Sequence, residues 1–287
     1  MPELPEVETI KEGLKNSLVN QKILKVHLSK KKLRFPYKKN FKKDIINKKI
    51  IDVNRRAKYI LFSLSNGLTI ISHLGMSGSY RIVKRSDKKN LKKLKHDHVI
   101  INLEDFVVIY NDPRRFGYIL LTDKPPLKYK LIKYLGFEPL SCEFNAESIA
   151  KVFHEKDRNI KNALMDQKII AGLGNIYVCE AMFRAKVSPF LLAKDLVDNK
   201  SKPKKPLKAL VKNIKMIIRD AIDLGGSSLR DYTNTDGKMG YFQNTFDVYN
   251  REGKICTTKN CSQLIMRAIQ SNRSTFFCPS CQKNKIK

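Results

Sequence analysis

The sequence predicts an α+β protein of two domains, an N-terminal β-sandwich with flanking helices and a helical C-terminal half that ends in a metal-bound β-hairpin. Short β-rich runs separated by turn residues fill the first half, and helical periodicity dominates from about residue 125. Four closely spaced cysteines stand near the C-terminus. At 287 residues, 42% of them hydrophobic, the chain can bury a sizeable core.

The N-terminal half is predicted to begin with a helix over residues 5–19, where apolar residues recur at helical spacing. Asn66-Gly67 lies between the first two of the β-rich runs that follow. It predicts a two-residue type I′ hairpin turn, because both residue types tolerate positive φ. A β-sandwich with a flanking helix accommodates the β-rich runs. They cover residues 60–64, 68–74, 80–83, 99–103, 107–110 and 118–121.

The C-terminal half is predicted to be helical, with the domain boundary between residues 122 and 135. Within it, residues 172–177 (GLGNIY) form a glycine turn that leads into a helix beginning near Asn175. Backbone amides and the helix dipole favour phosphate at such a position, although the same pattern also occurs in ordinary capped helix turns. The predicted helices cover residues 146–155, 160–167, 176–185 and 207–224.

The cysteine spacing near the C-terminus is C-x4-C, an interval of 16 residues, then C-x2-C, and it involves Cys256, Cys261, Cys278 and Cys281. Two ligand pairs of this kind can close a tetrahedral zinc site, and four protein ligands make the metal structural, because no coordination position stays open. Two disulfides could use the same cysteines, but six cysteines are few for a secreted disulfide scaffold.

Between the cysteine pairs, the sequence predicts a β-hairpin. Residues 264–269 and 275–277 are expected to be its strands, and residues 270–274 its turn. This places Arg273 at the tip of the hairpin.

The charge balance points to a polyanionic partner. Lys and Arg number 57 against 27 Asp and Glu, a net charge of +30, which supplies sequence-independent affinity for phosphates. A Lys-, Ile- and Asn-rich composition can also reflect genomic base bias, with many lysines simply solvated. No apolar run approaches a membrane span and no secretory or transit signal opens the chain, so we expect a cytoplasmic, nucleoid-associated protein without a membrane partner.

The first nine residues, MPELPEVET, are acidic within this basic chain. If Met1 is removed, Pro2 becomes a terminal secondary amine with a pKa of roughly 7.7 to 8.0, which can attack a carbonyl-like carbon and form an iminium. Glu3 then lies close enough to deliver a proton. The alternative is ordinary helix capping, with Pro5 in the first turn and the acidic side chains complementing the helix dipole.

Several segments in the same order resemble bacterial formamidopyrimidine-DNA glycosylases, of the formamidopyrimidine-DNA glycosylase/endonuclease VIII family, over essentially the whole chain. One departure is the spacer of the first cysteine pair, which has four residues where we expect two. The matching segments are the N-terminus, the cysteine hairpin, and residues 55–59 (RRAKY), 73–78 (HLGMSG), 96–98 (HDH), 112–117 (DPRRFG), 172–177 (GLGNIY) and 225–232 (GGSSLRDY).

The resemblance implies a bifunctional base excision repair enzyme that excises oxidised purines such as 8-oxoguanine and formamidopyrimidines and then cuts the strand by β,δ-elimination. By similarity, Pro2 attacks C1′ of the damaged nucleotide and Glu3 acts as the acid. Lys58 and Arg273 match positions assigned to elimination, although both cations could equally hold phosphates. Glu6 matches another acidic position, for which a structural role at the helix terminus remains open.

The resemblance also implies contacts with double-stranded DNA containing a damaged base, made by a monomer that carries one structural Zn²⁺. Expelling the nucleotide from the duplex leaves a gap, which Met76, Arg114 and Phe116 are expected to fill; the alternative for Met76 and Phe116 is core packing. The implied DNA contacts are His96, Arg114 and Lys156, with Lys58, His73, Asn175 and Arg273 around the phosphates and Arg230 near the flipped base.

By the same resemblance, we expect a catalytic β-sandwich in residues 1–130, a helix-two-turn-helix DNA-binding domain in residues 131–245 that includes a lesion-recognition loop at 225–243, and a zinc hairpin in residues 246–287. Two other functions stay open. One is an endonuclease VIII-like glycosylase for oxidised pyrimidines, and the other is a zinc-containing DNA-binding protein without catalysis.

Overall fold

The computed structural model describes residues 2–90, 93–227, 235 and 239–283, with residues 88–90 described by their backbone only. It divides into two compact units, of which the first comprises Met1–Tyr134 with Ile222–Gln243 and the second Leu135–Ala221 with Asn244–Lys287. The described residues of the segment expected to be the lesion-recognition loop, 225–227, 235 and 239–243, belong to the first unit, and the rest of that segment lies outside the described residues. The three-part division proposed from the sequence stays a prediction.

The first unit is a β-sandwich, as predicted. Its strands form two four-stranded antiparallel sheets, with strand orders β1-β6-β7-β5 and β2-β3-β4-β8. Its helices and strands are α1 (Leu4–Leu18), β1 (Lys25–Leu28), α2 (Phe41–Ile45), β2 (Ile50–Arg56), β3 (Tyr59–Leu64), β4 (Thr69–His73), β5 (Ser79–Lys84), β6 (Asp97–Asn102), β7 (Phe106–Asn111) and β8 (Tyr118–Thr122).

Helix α1 closes the core of this unit. The apolar residues that predicted it are all fully or almost fully buried and belong to one cluster with the inward residues of both sheets. Burial of each such side chain contributes about 1.5–3 kcal/mol, so packing rather than propensity holds the helix in place. The α1 residues in the cluster are Val7, Ile10, Leu14 and Leu18. The N-terminus of the chain is thereby fixed against the sandwich.

The hairpin predicted between β3 and β4 is present, but its turn type was wrong. Gly67 N donates to Leu64 O at 3.0 Å, and Leu64 N donates to Leu68 O at 2.9 Å, which closes a three-residue loop. Within this loop only Gly67 has positive φ, at +79°. A type I turn followed by a left-handed glycine produces this loop, whereas type I′ needs positive φ at two successive residues.

The second unit is helical and carries a two-stranded hairpin, again as predicted. Helix α5 begins directly after the glycine turn and contacts β10 of the hairpin. The elements are α3 (Ala146–Phe153), α4 (Ile160–Met165), α5 (Asn175–Arg184), α6 (Lys205–Asp223), β9 (Met266–Gln270) and β10 (Arg273–Phe277). Among the described residues, no helix has both the length and the apolar character needed to cross a membrane.

The turn predicted over residues 270–274 was wrong in its length, although Arg273 does lie at the turn end of the hairpin. The turn is Ser271-Asn272, with φ of 48° and 59°, and Arg273 is the first residue of β10, paired with Gln270. Two successive residues with positive φ make a type I′ turn, whose twist matches that of the strands, so pairing continues to the last possible residue. Arg273 is therefore held in register by the sheet.

Candidate active site and metal centre

The chain start is organised around a buried carboxylate that is not the predicted catalytic one. Glu6 is 2% exposed, and its Oε2 accepts from Glu3 N at 2.8 Å. Its Oε1 accepts from the backbone N–H of Ser227 at 2.8 Å and from the Ser227 hydroxyl at 3.0 Å. The structural role left open for Glu6 fits these contacts, because the carboxylate ties the start of α1 to the segment after α6.

Pro2 and Glu3 precede the first residue of α1, and both are buried. Pro5 lies in the first turn of the helix, so the capping explanation is met in part. Glu6 and not Glu3 accepts the N-cap amide. The two acidic side chains form a reciprocal capping box at the start of α1.

Glu8, the third acidic residue near the helix start, is occupied by cations. It forms ion pairs with Arg55 and, at 2.7 Å, with Lys11. Burial alone would raise the pKa of Glu8, but the two cations outweigh it and lower that pKa. This charge network attaches α1 to β2 and supports a structural role for Glu8.

Lys58 and His73 lie near each other at one end of the β2-β3-β4 sheet. Lys58 follows Ala57 in the tight turn between β2 and β3 and is 6% exposed. His73, the last residue of β4, stacks on Tyr118 with ring centroids 5.1 Å apart. Burial, with Lys58 and Arg34 nearby, lowers the pKa of His73 to about 4.

His73 is consequently a neutral imidazole at pH 7, and its tautomer follows from one contact. Gly75 N lies 3.0 Å from His73 Nδ1, and because a backbone N–H can only donate, Nδ1 carries no proton. The proton then resides on Nε2. A neutral N–H donor beside a lysine is well suited to bind a phosphate oxygen.

The three residues predicted to fill the gap in DNA lie on two adjoining loops of the first unit. Met76 is 37% exposed and Phe116 is 48% exposed, so neither packs in the core. The Arg114 guanidinium lies 5.0 Å from the centroid of the Phe116 ring. His96 is half-buried. It lies next to one of these loops, because its backbone carbonyl accepts from Asp112 N at 3.1 Å.

Two residues of the second unit hold the chain next to Arg273. Asn175 Nδ2 donates to Ser274 O at 2.8 Å, and Lys161 Nζ donates to the same oxygen at 2.9 Å. Lys161 also donates to Thr275 Oγ1 at 2.7 Å. Arg273 itself is exposed, so its backbone is fixed while its guanidinium faces solvent.

Sequence reasoning missed Lys161. It is fully buried, and that burial, with Arg273 nearby, lowers the pKa of its amine. The sequence did offer one signal for its burial, because Lys161 lies among the apolar residues Ile160 and Ala163 of a short helix. Of the remaining predicted contacts, Lys156 is exposed just after α3, and Arg230 lies outside the described residues.

The four cysteines form one cluster that could hold a metal ion. Their sulfur atoms all lie within 4.8 Å of one another. Sγ–Sγ distances of 3.7 and 3.8 Å join Cys261 to Cys278 and Cys256 to Cys281. A disulfide bond is about 2.05 Å long, so the alternative of two disulfides does not fit. The four-residue spacer does not prevent the four thiols from converging.

Comparison with known proteins agrees with this geometry. Residues 1–119 match the profile of the formamidopyrimidine-DNA glycosylase N-terminal domain, and residues 135–233 match that of the formamidopyrimidine-DNA glycosylase H2TH domain. A formamidopyrimidine-DNA glycosylase of Agrobacterium fabrum is 47% identical over 298 residues, covering 99% of this chain and 100% of the relative.

The chain belongs to the formamidopyrimidine-DNA glycosylase family.

Solved structures of similar proteins extend the comparison. A mutant of Lactococcus lactis FPG, in complex with a DNA containing Fapy-dG, superposes with a TM-score of 0.87 at 34% identity, covering 98% of this chain and 100% of that one. The wild-type Lactococcus lactis protein, in complex with a DNA containing an oxidized pyrimidine, has a TM-score of 0.85 at 33% identity with the same coverage. The family resemblance inferred from the motifs is confirmed.

The low pKa of His73 makes stability depend on pH. The folded pKa is about 4 and the ordinary value is 6.5. Between these values the unfolded chain binds a proton that the folded chain does not, so the free energy of unfolding falls as pH falls, by at most about 1.4 kcal/mol per pH unit from this group. His73→Gln should reduce that slope in urea unfolding series from pH 7 to 4.

The matched control is His27→Gln, which replaces an exposed histidine of β1 and should keep the wild-type slope. An NMR titration of the His73 ring provides an independent measurement. A ring that becomes protonated near pH 6.5 would contradict the neutral imidazole assigned to His73.

Proposed function

We propose that this member of the family is a bifunctional DNA glycosylase and lyase of base excision repair, which excises 8-oxoguanine and formamidopyrimidines and then cuts the strand. The observation that carries the proposal is the buried Pro2-Glu3 pair at the start of α1, in a chain that matches family members along its whole length. The Lactococcus lactis relative in complex with a Fapy-dG containing DNA supports this substrate class.

Pro2 is the proposed nucleophile. Once Met1 is removed, the secondary amine attacks C1′, the bond from C1′ to the base breaks, and the base leaves with a proton. Cleavage of the bond from C1′ to O4′ then converts the Pro2 adduct into an iminium at C1′, which makes the C2′ protons acidic. Loss of a C2′ proton expels the 3′ phosphate, and a second elimination expels the 5′ phosphate, which leaves a one-nucleotide gap flanked by phosphates.

Glu3 is the proposed acid for the sugar. Opening of the deoxyribose ring breaks the bond from C1′ to O4′, and the ring oxygen then requires a proton. Glu3 precedes α1 directly after Pro2, so the acid and the nucleophile are covalent neighbours. Lys58 and Arg273 are proposed to act in elimination by holding the departing phosphates.

The DNA-binding residues are proposed to make two kinds of contact: some bind phosphates, and others fill the gap that the expelled nucleotide leaves. In the first unit, neutral His73 is proposed to donate from Nε2 to a phosphate and Lys58 to contribute charge. In the second unit, the proposed phosphate contacts are Asn175, Lys156 and Arg273. The net charge of +30 supports salt-sensitive affinity for the backbone. Met76, Arg114 and Phe116 are proposed to replace the expelled nucleotide, and their exposure supports this role.

The competing substrate class is oxidised pyrimidine, since one solved relative is in complex with a DNA containing such a base. Parallel cleavage assays on duplexes with 8-oxoguanine opposite cytosine and with thymine glycol separate the two. Preferential cutting of 8-oxoguanine is expected. Predominant cutting of thymine glycol would overturn the proposed substrate.

The four cysteines are proposed to bind one structural Zn²⁺. Ligands at 2.3 Å in a tetrahedron lie about 3.8 Å from each other, and Sγ–Sγ distances of 3.7 and 3.8 Å occur within the cluster. The ion would crosslink the hairpin that carries Arg273. It takes no part in the chemical steps, because four thiolates leave it no open position.

Replacing Pro2 with Gly, or blocking the N-terminus with a tag, should reduce the borohydride-trapped adduct with abasic DNA by about a hundredfold or more, because the secondary amine is lost. DNA affinity should change little. The matched control is the same tag at the C-terminus, which should trap normally. Undiminished trapping with a blocked N-terminus would refute the assignment of Pro2.

Glu3→Gln should slow base release by about a hundredfold, the usual contribution of a general acid. Strand cleavage at a preformed abasic site should fall much less, since an abasic deoxyribose already opens to its aldehyde form and does not depend on Glu3 for ring opening. Single-turnover assays on 8-oxoguanine and abasic duplexes measure the two rates. Equal losses on both substrates would count against the role of Glu3.

Cys256→Ser should lose most of the zinc, measured by mass spectrometry of the metal, and should weaken DNA binding about tenfold because the hairpin loosens. Cys142→Ser is the control, since Cys142 is exposed and lies outside the cluster. Active wild-type protein without zinc would contradict the metal assignment.

A further inference from the structure

Two loops of the first unit, residues 75–78 and residues 112–117, touch along their backbones, and we call them the wedge platform. Gly75 has a φ of +61°, and a Cβ there would lie 2.4 Å from Gly117 N. No side chain fits between the loops at this point. One loop exposes Met76 and the other exposes Arg114 and Phe116.

The carboxylate of Asp112 connects the two loops. Asp112 is fully buried. Its Oδ1 accepts from the Ser77 hydroxyl at 2.7 Å, and its Oδ2 accepts from Gly117 N at 2.8 Å. Each oxygen therefore holds a different loop, and a hydrogen bond to an ionised acceptor is stronger than a neutral one.

The Ser77 hydroxyl carries the connection one step further. It donates to Asp112, and its oxygen accepts from Arg114 N at 3.1 Å. Asp112 is anchored in turn to the sheet, because its carbonyl accepts from His98 Nε2 at 3.0 Å and its N–H donates to His96 O at 3.1 Å. Asp112 thus holds the Ser77 hydroxyl beside Met76 and the Gly117 N–H beside Phe116 directly, and it holds the Arg114 N–H through the Ser77 hydroxyl.

We propose that Asp112 is the positioning residue of the wedge platform, and that its two carboxylate oxygens fix the two loops together so that Met76, Arg114 and Phe116 enter the gap as one rigid unit. The proposal rests on the proposed function. Filling the gap offsets the unstacking of the expelled nucleotide only if the three side chains arrive together. Loops that moved independently would have to be ordered during every insertion.

Asp112→Asn tests the proposal with minimal change of shape. An amide that keeps its oxygen toward Gly117 turns its NH₂ group toward Ser77, whose hydroxyl must then accept instead of donate, so the charge-assisted hydrogen bond between the two loops is lost. Ser77→Ala is the second variant, since it removes the link to Arg114 and leaves Asp112 intact. Ser72→Ala is the matched control, because Ser72 is fully buried and accepts from Tyr80 in a hydrogen bond that involves no residue of either loop.

Single-turnover excision of 8-oxoguanine from duplex should fall roughly 10- to 100-fold in Asp112→Asn and Ser77→Ala, since loss of positioning of about 1 Å has effects of this size. Cleavage of a single-stranded abasic oligonucleotide, which has no orphaned base and no gap to fill, should stay within about twofold of wild type. Ser72→Ala should match wild type in both assays.

A second readout does not require excision. The fluorescence of 2-aminopurine opposite a tetrahydrofuran site reports insertion of the platform into the duplex, and the wild-type change should be absent in both variants. Equal loss of activity on duplex and single-stranded substrates, or an unchanged fluorescence response, would overturn the role of Asp112. A wild-type chain that inserts into the duplex but fails to excise oxidised purines would instead sink the proposed function.

Discussion

The arrangement around the chain start depends on one buried carboxylate, that of Glu6. A carboxylate so deeply buried is costly unless hydrogen bonds replace its water. Three hydrogen bonds offset the desolvation of Glu6, which accepts from the amide of Glu3 and from both the amide and the hydroxyl of Ser227. The same contacts fix the residue that follows Pro2 and the segment that follows α6. A side chain conspicuous only as one acidic residue among several thus organises the predicted nucleophile.

Buried carboxylates that accept hydrogen bonds from loops occur at two further places in this basic chain. Asp112 joins the two loops of the wedge platform, and Glu180 in the second unit accepts from the amides of Asp247, Val248 and Tyr249. Burial raises the pKa of Glu180, while the three amide hydrogen bonds counteract part of that rise. Buried carboxylates thus hold backbone amides in both units, within a chain whose net charge of +30 suits a polyanionic partner.

Much of the fold followed from periodicity, because apolar spacing is a local signal. The four helices of the second unit and six strands of the sandwich were all predicted, with ends that differ by a few residues. Strands β1 and β2 were missed, since β1 has four residues and β2 ends in two arginines. The type I′ turn predicted at Asn66-Gly67 is a three-residue loop, and the turn predicted over residues 270–274 contains only Ser271 and Asn272. Strand register, which depends on side-chain packing across the sheet, decides how many residues a turn contains.

The sequence by itself determined the family, the order of the elements and the identity of the chemical groups: a proline at position 2, four thiols at metal-binding spacing, and a strong positive charge. These are properties of residues and of short segments, and they need no knowledge of neighbours in space. Only the tertiary structure decided which carboxylate caps α1, that His73 is neutral with its proton on Nε2, and that Lys161 supports the strand of Arg273. Each of these depends on burial and on partners distant in the chain, because solvent exclusion and a hydrogen bond exist only once both sides are folded together.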